Sequence, residues 1–177
     1  MSQEPTKETH RLIGCLEYNP EVAKWLGVFL AEFAAVEFML VRLMALILAE
    51  DDNMRVSHKI LGHIRSISDR TKRVAKAAKG SNLDPERKKL LKNFTADILK
   101  LNSIRNDYVH GLYETNVETG DVTLTTWVTS STRPTGKPTP VTATKIQEDA
   151  MAVRKLNGRI AEALFPRDVK PNHSADN

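Results

Sequence analysis

Residues 19–49 read NPEVAKWLGVFLAEFAAVEFMLVRLMALILA, and the fold class turns on this stretch. Asn19 offers a side-chain oxygen to the start of a helix, Pro20 carries the φ of a first helical residue, and Glu21 complements the positive end of the helix dipole. From there Leu26, Phe29, Phe33, Val36, Leu40, Leu43 and Ile47 recur at alternating steps of three and four, which places them on one side of an α-helix. Gly27, Ala31, Ala34 and Ala45 line another side with residues small enough to admit a second helix closely. The spacing predicts a helix from Pro20 to about Ala49, apolar over so much of its circumference that it is covered on two sides. Such a helix is either the centre of a bundle or part of a subunit interface. It is not read as a membrane span, because Glu32, Glu37 and Arg42 would each cost roughly 2.5–3.5 kcal/mol near a bilayer centre. No membrane partner is expected.

The same punctuation returns at Asp84-Pro85-Glu86, which opens a helix running to about Tyr108 and burying Leu90, Leu91, Phe94, Ile98, Leu101, Ile104 and Tyr108. Between the two lies a segment from about Asn53 to Lys79, with apolar residues at Ile60, Leu61, Ile64, Ile67, Val74 and Ala78. Ser66 and Ser68 can bend or break it. Its other side is basic, with Arg55, Lys59, Arg65, Arg70, Lys72, Arg73, Lys76 and Lys79 against Asp69 alone, and Gly80-Ser81-Asn82 ends it. After Gly111 the period changes to two, which predicts a hairpin of Leu112 to Val117 with Val122 to Thr129 around the turn Glu118-Thr119-Gly120-Asp121. Ser130 to Pro140 reads as a loop. A last helix starts near Thr144, with Gln147 at capping-box spacing, and runs to about Phe165. The chain therefore reads as mainly α, with a flexible segment over 1–18, one helical domain over 19–165 that includes a hairpin and loop at about 112–140, and a disordered tail over 166–177.

With 177 residues, 41% hydrophobic and 27% charged, the composition is that of one globular domain. A formal charge of +4 and a pI near 9.2 favour acidic partners, RNA and DNA included. The lone Cys15 excludes an internal disulfide framework and fits a reducing, cytoplasmic setting. A secretory leader is not expected, because the first apolar run is short and follows a polar, charged decapeptide. His58 and His63 lack a Cys or carboxylate partner at ligand spacing, so no metal is expected. The absence of a phosphate loop, a dinucleotide fingerprint and a Ser or Cys nucleophile motif leaves no cofactor expected either.

The chemistry concentrates in Ile104-Arg105-Asn106-Asp107-Tyr108-Val109-His110-Gly111. Arginine holds phosphate oxygens in a fork of donors, and histidine moves protons near neutral pH. RNA carries a 2′-hydroxyl that attacks its own phosphate, given a proton acceptor, a donor for the leaving oxygen and stabilisation of the phosphorane charge. His110 is the candidate acid–base group, Arg105 the candidate for the phosphate charge, and Asn106 the residue that orients the histidine or bonds the phosphate. Since one histidine cannot be acid and base at once, two copies of His110 in a dimer suit this chemistry. A five-residue helical step turns the side chain by about 140°, so Arg105 and His110 diverge unless the helix ends or tightens before His110. The plain structural alternative is that Arg105 caps carbonyls or pairs with an acid while His110 sits favourably at a helix C-terminus. Tyr108 belongs to the apolar stripe, and Asp107 faces solvent or pairs with a cation. Glu32 and Glu37 are costly unless paired, and Glu37, in the more apolar setting, is the candidate supporting acid, with Arg105 or Arg42 as partner. Arg55, Lys59, Arg70 and Arg73 are either candidates to follow an RNA backbone or a solvated face.

A long capped helix ending in Arg105-Asn106, three further residues, His110 and Gly111, within a small set of helices, resembles the HEPN superfamily. That family's motif is an Arg, four to six residues and a His, often with a polar residue directly after the Arg. The likeness extends over helix order from Pro20 to Phe165, and at residue level over Arg105, Asn106 and His110. It implies an up-and-down four-helix bundle, here with a small hairpin before the last helix, that forms homodimers in which two motifs share a composite cleft. It commonly implies metal-independent RNA cleavage, in toxins, phage-defence effectors and RNA-processing factors, sometimes restrained by an antitoxin or other regulatory protein. The rival expectations are a non-catalytic binding or regulatory module of the same fold, and a sensor that binds a phosphate ligand through Arg105.

Overall fold

A computed structural model of the chain describes residues 11–14, 16–48, 53–126 and 136–165. Among them are five helices, α1 (Pro20–Leu48), α2 (Asn53–Gly62), α3 (Ile67–Gly80), α4 (Pro85–His110) and α5 (Ala143–Leu164). Four short strands, β1 (Arg11–Ile13), β2 (Leu112–Asn116), β3 (Val122–Thr125) and β4 (Thr139–Val141), form one antiparallel sheet in the order β1-β2-β3-β4. The protein is mainly helical with a small sheet. The expectations for residues 1–10, for Cys15, for Trp127 to Thr129 and most of the following loop, and for the tail from Pro166 lie outside the described residues.

Both Pro-led helices start as their punctuation predicts. Asn19 Oδ1 accepts from the Val22 N–H at 3.1 Å, and Asp84 Oδ1 accepts from the Arg87 N–H at 2.8 Å. The segment from Asn53 to Lys79 is two helices, because the chain leaves helical geometry over 63–66. The Ile64 N–H closes the last turn of α2 on the Leu61 carbonyl at 3.0 Å. Ser66 then caps α3 through its side chain and the Asp69 N–H at 3.3 Å. A cap of this kind satisfies a first-turn amide that a continuous helix would have bonded internally. Arg70 Nε, one turn into α3, takes up the freed Ile64 carbonyl at 2.6 Å. An expected four helices thus become five.

α1 packs against each of the other four helices. Its stripe of Phe29, Phe33, Val36, Leu40 and Leu43 is almost wholly buried, with Leu91, Phe94 and Ile98 of α4 and Ile146, Val153 and Ile160 of α5 in the same core. Two latches hold α5 on α1: Arg154 Nη2 lies 2.6 Å from Glu32 Oε1, and Asn157 Nδ2 donates to the Glu32 carbonyl at 2.9 Å. The small-residue side behaves otherwise. Ala45 is buried, but Gly27, Ala31 and Ala34 are exposed, together with Leu30 and Phe38. Within the chain α1 is thus covered along its main apolar stripe and open along the side of Gly27, Leu30, Ala31, Ala34 and Phe38.

The expected hairpin forms as β2 and β3, with Tyr113 opposite Leu124 and Thr115 opposite Val122. Two edge strands extend it. Residues 11–13, expected in a flexible segment, pair with β2, and residues 139–141, the first two of them expected in a loop, pair with β3. Pro140 has no N–H to donate and sits opposite Thr123 in β4, an edge strand where that loss is tolerated. The β2–β3 turn reaches positive φ at Gly120 (72°), and its carbonyl accepts from Asn19 Nδ2 at 2.8 Å. The residue that caps α1 therefore also fastens the sheet. α5 begins at Ala143 with Thr142 as its cap, one turn's edge earlier than Thr144, because the Thr142 hydroxyl accepts from the Lys145 N–H at 3.2 Å. None of the described helices is long and apolar enough to cross a membrane.

Candidate functional site

The last turns of α4 carry the motif. The helix does not end before His110 but runs through it, and the Gly111 N–H closes it on the Asp107 carbonyl at 2.9 Å. Gly111 is not there for a left-handed cap, since its φ is −75°. A Cβ at this position would overlap the Leu124 side chain and the Asp107 carbonyl, so the glycine lets β3 pack against the end of α4. With the helix regular to its end, Arg105 and His110 do diverge by about 140°, and Asn106 lies between them. Asn102, Asn106 and His110 follow one another at four-residue steps, with Arg105 alongside.

This strip forms one wall of an open cavity of about 310 Å³. Arg105, Asn106, His110 and Asn102 all line it, so the angular spread is spanned by a single cleft. Facing them are Arg65 and Ser66, Ile67 and Ser68 at the start of α3, with Glu37 of α1 at the side. Arg105 Nη1 donates to Asn106 Oδ1 at 3.2 Å, and among the described residues no acid pairs with Arg105. Its charge is thus available to an incoming anion. His110 is exposed at the mouth. Asn102 is 7% exposed.

Glu37 pairs with neither Arg105 nor Arg42. Its Oε2 accepts from Arg70 Nη1 at 2.9 Å, and Arg70 in turn holds the Ile64 carbonyl. The pair neutralises an acid beside the cleft and fixes the link that brings Arg65 and Ser66 to it. Arg70 is therefore committed to the architecture of the cleft, and Glu37 supports its wall. Arg42 stacks on Phe38 and Phe165, at 4.9 and 5.0 Å from the ring centres. Lys59 and Arg73 are exposed, on α2 and α3 respectively, as is Arg55.

Tyr108 is core. It meets Phe29 edge-on with ring centres 5.2 Å apart, and its hydroxyl donates to Asp149 Oδ2 at 2.6 Å. Asp149 Oδ1 also accepts from Lys145 Nζ at 2.6 Å. Burial first, and then the bond to Asp149, push the Tyr108 phenol well above its ordinary range. Burial also pushes Tyr113, whose hydroxyl donates to the Tyr108 carbonyl at 2.9 Å, up to about 12. Asp107 is exposed, and partial desolvation raises its carboxyl above the usual value.

A larger cavity, about 630 Å³, lies elsewhere, between α3 and α4. Ala75 and Ala78 floor it, and Lys79, Lys88, Lys89 and Lys92 wall it. Its charged groups are lysines alone, with no imidazole and no planar donor fork, whereas the smaller cleft has both. Among the described residues no three His, Cys, Asp or Glu side chains converge as a metal site.

The cleft can hold an anion between two guanidinium groups, hydrogen-bond it through carboxamides and move a proton at an exposed imidazole. Reading the sequence brought out Arg105, Asn106 and His110 but not the facing wall. Arg65, Ser68 and Asn102 were hidden because their relevance depends on where α3 begins, and Ser66 followed three residues on by Asp69 was the signal for that start. Compared with family models, with curated proteins and with solved structures, the chain matches none.

Proposed function

We propose that this protein is a metal-independent endoribonuclease of HEPN type, working as a homodimer. One observation carries the reading: Arg105, Asn106 and His110 line one cleft in which Arg105 is paired with no acid among the described residues. Four helices of fourteen residues or more, α1, α3, α4 and α5, are read as the bundle, with the ten-residue α2 as a short insertion. The apolar face of Gly27, Leu30, Ala31, Ala34 and Phe38 supports a second copy, since a soluble chain gains by covering it. The positive charge supports an RNA partner, and the lysine-walled groove offers an acidic regulatory protein a place to bind. A cytoplasmic toxin or phage-defence effector is the setting that fits these properties.

In the proposed reaction the RNA phosphate lies against Arg105 and Asn106. One imidazole accepts the proton of the 2′-hydroxyl as its oxygen attacks phosphorus. The guanidinium stabilises the charge gathering on the non-bridging oxygens, and His110 of a second copy protonates the departing 5′-oxygen. The P–O5′ bond breaks as the 2′-O–P bond forms, leaving a 2′,3′-cyclic phosphate and a free 5′-hydroxyl.

The test is incubation of labelled single-stranded RNA with the protein in EDTA. Wild type is expected to cleave and leave cyclic phosphate ends, and His110→Ala to lose about 10²–10⁴-fold in rate. Arg105→Ala is expected to lose about 10²-fold or more. No cleavage of a broad set of RNAs, or equal cleavage by the variants, overturns the reading.

A further inference from the structure

We propose that the wall facing Arg105 and His110 is a phosphate-anchoring subsite, built by Arg65, Ser68 and the first-turn amides of α3 with Asn102 at its floor. It holds a second phosphate of the same strand beside the one being cleaved. The inference rests on the nuclease reading for the identity of the strand, but its donors stand independently of the acid–base chemistry.

α3 is fourteen residues long, and its first amides have no acceptor within the helix. Ser66 consumes one of them, at Asp69. Ile67 and Ser68 remain, and both line the cleft. The positive end of the helix dipole adds to them, a combination that binds phosphate. Arg65 is exposed on the same wall and, among the described residues, pairs with no acid. The nearest carboxylate, Glu37, is held by Arg70 at 2.9 Å and does not repel an anion as a free acid would.

Asn102 supplies the second, independent sign. It is 7% exposed and lines the cleft, yet its carboxamide bonds to no described residue. Buried side-chain polar groups nearly always have partners, and those nearby do: the Thr71 hydroxyl donates to the Ile67 carbonyl at 2.7 Å, and that of Thr95 to the Leu91 carbonyl at 2.9 Å. The orphan oxygens of Thr115 and Asn157 are sealed from solvent, whereas the Asn102 carboxamide reaches the cavity. A carboxamide that reaches the cleft from an otherwise buried residue, in a lining that also holds two arginines and a helix N-terminus, is placed to donate to a ligand oxygen.

The two walls therefore carry two separate donor sets, Arg105 with Asn106 on α4, and Arg65 of the α2–α3 link with Ser68 of α3. A nucleoside monophosphate satisfies one of them, and a strand with consecutive phosphates satisfies both. The substrate class is an oligonucleotide rather than a nucleoside monophosphate or its cyclic form.

The probe is a 2′-O-methyl dinucleotide, which cannot be cleaved by its own 2′-oxygen, with and without a 5′-terminal phosphate. It is titrated into the ¹⁵N-labelled full chain at constant ionic strength. The terminal phosphate is expected to tighten binding about tenfold, as a charge-assisted hydrogen bond does. The Ile67 and Ser68 amides and the Asn102 side-chain amide are expected to shift with it. Ser68→Asp puts a carboxylate where the helix dipole favours one, so α3 stays folded while the anion is repelled. The tenfold gain is expected to vanish in that variant with the melting temperature held or raised, and to vanish also in Arg65→Ala. Equal affinity for the two probes, unmoved Ile67 and Ser68 amides, or a Ser68→Asp chain that keeps the gain overturns the subsite. RNA cleavage assays on the same variants separate the two readings. A phosphate gain without any cleavage sinks the nuclease and leaves the subsite, and cleavage without a phosphate gain does the reverse.

Discussion

Two neighbouring faces of the last turns of α4 treat polar groups in opposite ways. On the inner face, Tyr108 gives its hydroxyl to Asp149, Asp149 takes a second bond from Lys145, and Tyr113 closes on the Tyr108 carbonyl. On the cleft face, a few residues away, Arg105 has only Asn106, and Asn102 opens its carboxamide on the cleft with no partner among the described residues. The first face is closed by its own bonds and serves the fold. The second leaves its donors facing the open cleft, where an incoming ligand oxygen can meet them. A single helix thus separates the residues that hold the protein together from those that face the cleft.

The inner face should break hardest. Tyr108→Phe keeps the ring against Phe29 and removes only the hydroxyl, leaving Asp149, 6% exposed, with one partner fewer. Urea denaturation is expected to show a loss of about 1–3 kcal/mol. Arg105→Ala and His110→Ala, on the other face, are expected to stay within about 0.5 kcal/mol of wild type. A Tyr108→Phe chain as stable as the parent would mean that the inner network is not closed in the way its distances imply.

The tyrosines also give the inner face a pH signature. Tyr113 titrates at about 12 in the folded chain against an ordinary 10.0, and Tyr108 is raised in the same direction. A raised pKa means that the folded state keeps a proton the unfolded chain releases. The contribution is complete below pH 10.0 and is lost as pH climbs through the folded values. Stability is therefore expected to fall with rising pH above that point, by at most about 1.4 kcal/mol per pH unit for each tyrosine, and by less for the partly exposed Tyr113. Denaturation midpoints followed from neutral pH to about 11 test this, and Tyr113→Phe should flatten the slope. An unchanged slope in that variant would remove Tyr113 from the account.

The difference between the faces also explains what could be read ahead of the structure. Asn19-Pro20 and Asp84-Pro85 are local signals, satisfied by amides three residues on, and both helices begin at their prolines. The stripe through Phe29, Phe33 and Leu40 is local too, and it is buried. β1 and β4 were illegible because three-residue strands owe their pairing to a distant ladder, and Pro140 reads as a loop until its edge position is known. The site divides along the same line. Arg105, Asn106 and His110 lie within one helix and are legible together, whereas Glu37 pairs with neither expected arginine, Arg105 or Arg42, because Arg70 is brought to it by the turn between α2 and α3. Asn102 escaped notice because a buried polar residue in a helix looks like any other until its missing partner is seen.

Asn102 is also where the comparison can be sharpened with the smallest effect. Leucine has the same branching and the same number of side-chain heavy atoms, its larger methyl groups can extend into the open cleft, and it carries no donor or acceptor. Asn102→Leu should therefore leave stability unchanged or raise it by up to about 1 kcal/mol in urea denaturation, the reverse of what removing a bonded polar group on the inner face does. A polar residue whose replacement costs the fold nothing is held there by something other than the fold, and active sites are where such residues collect. If Asn102→Leu instead costs as much as Tyr108→Phe, the carboxamide has a partner in solution and the two faces of α4 are alike, both built for structure.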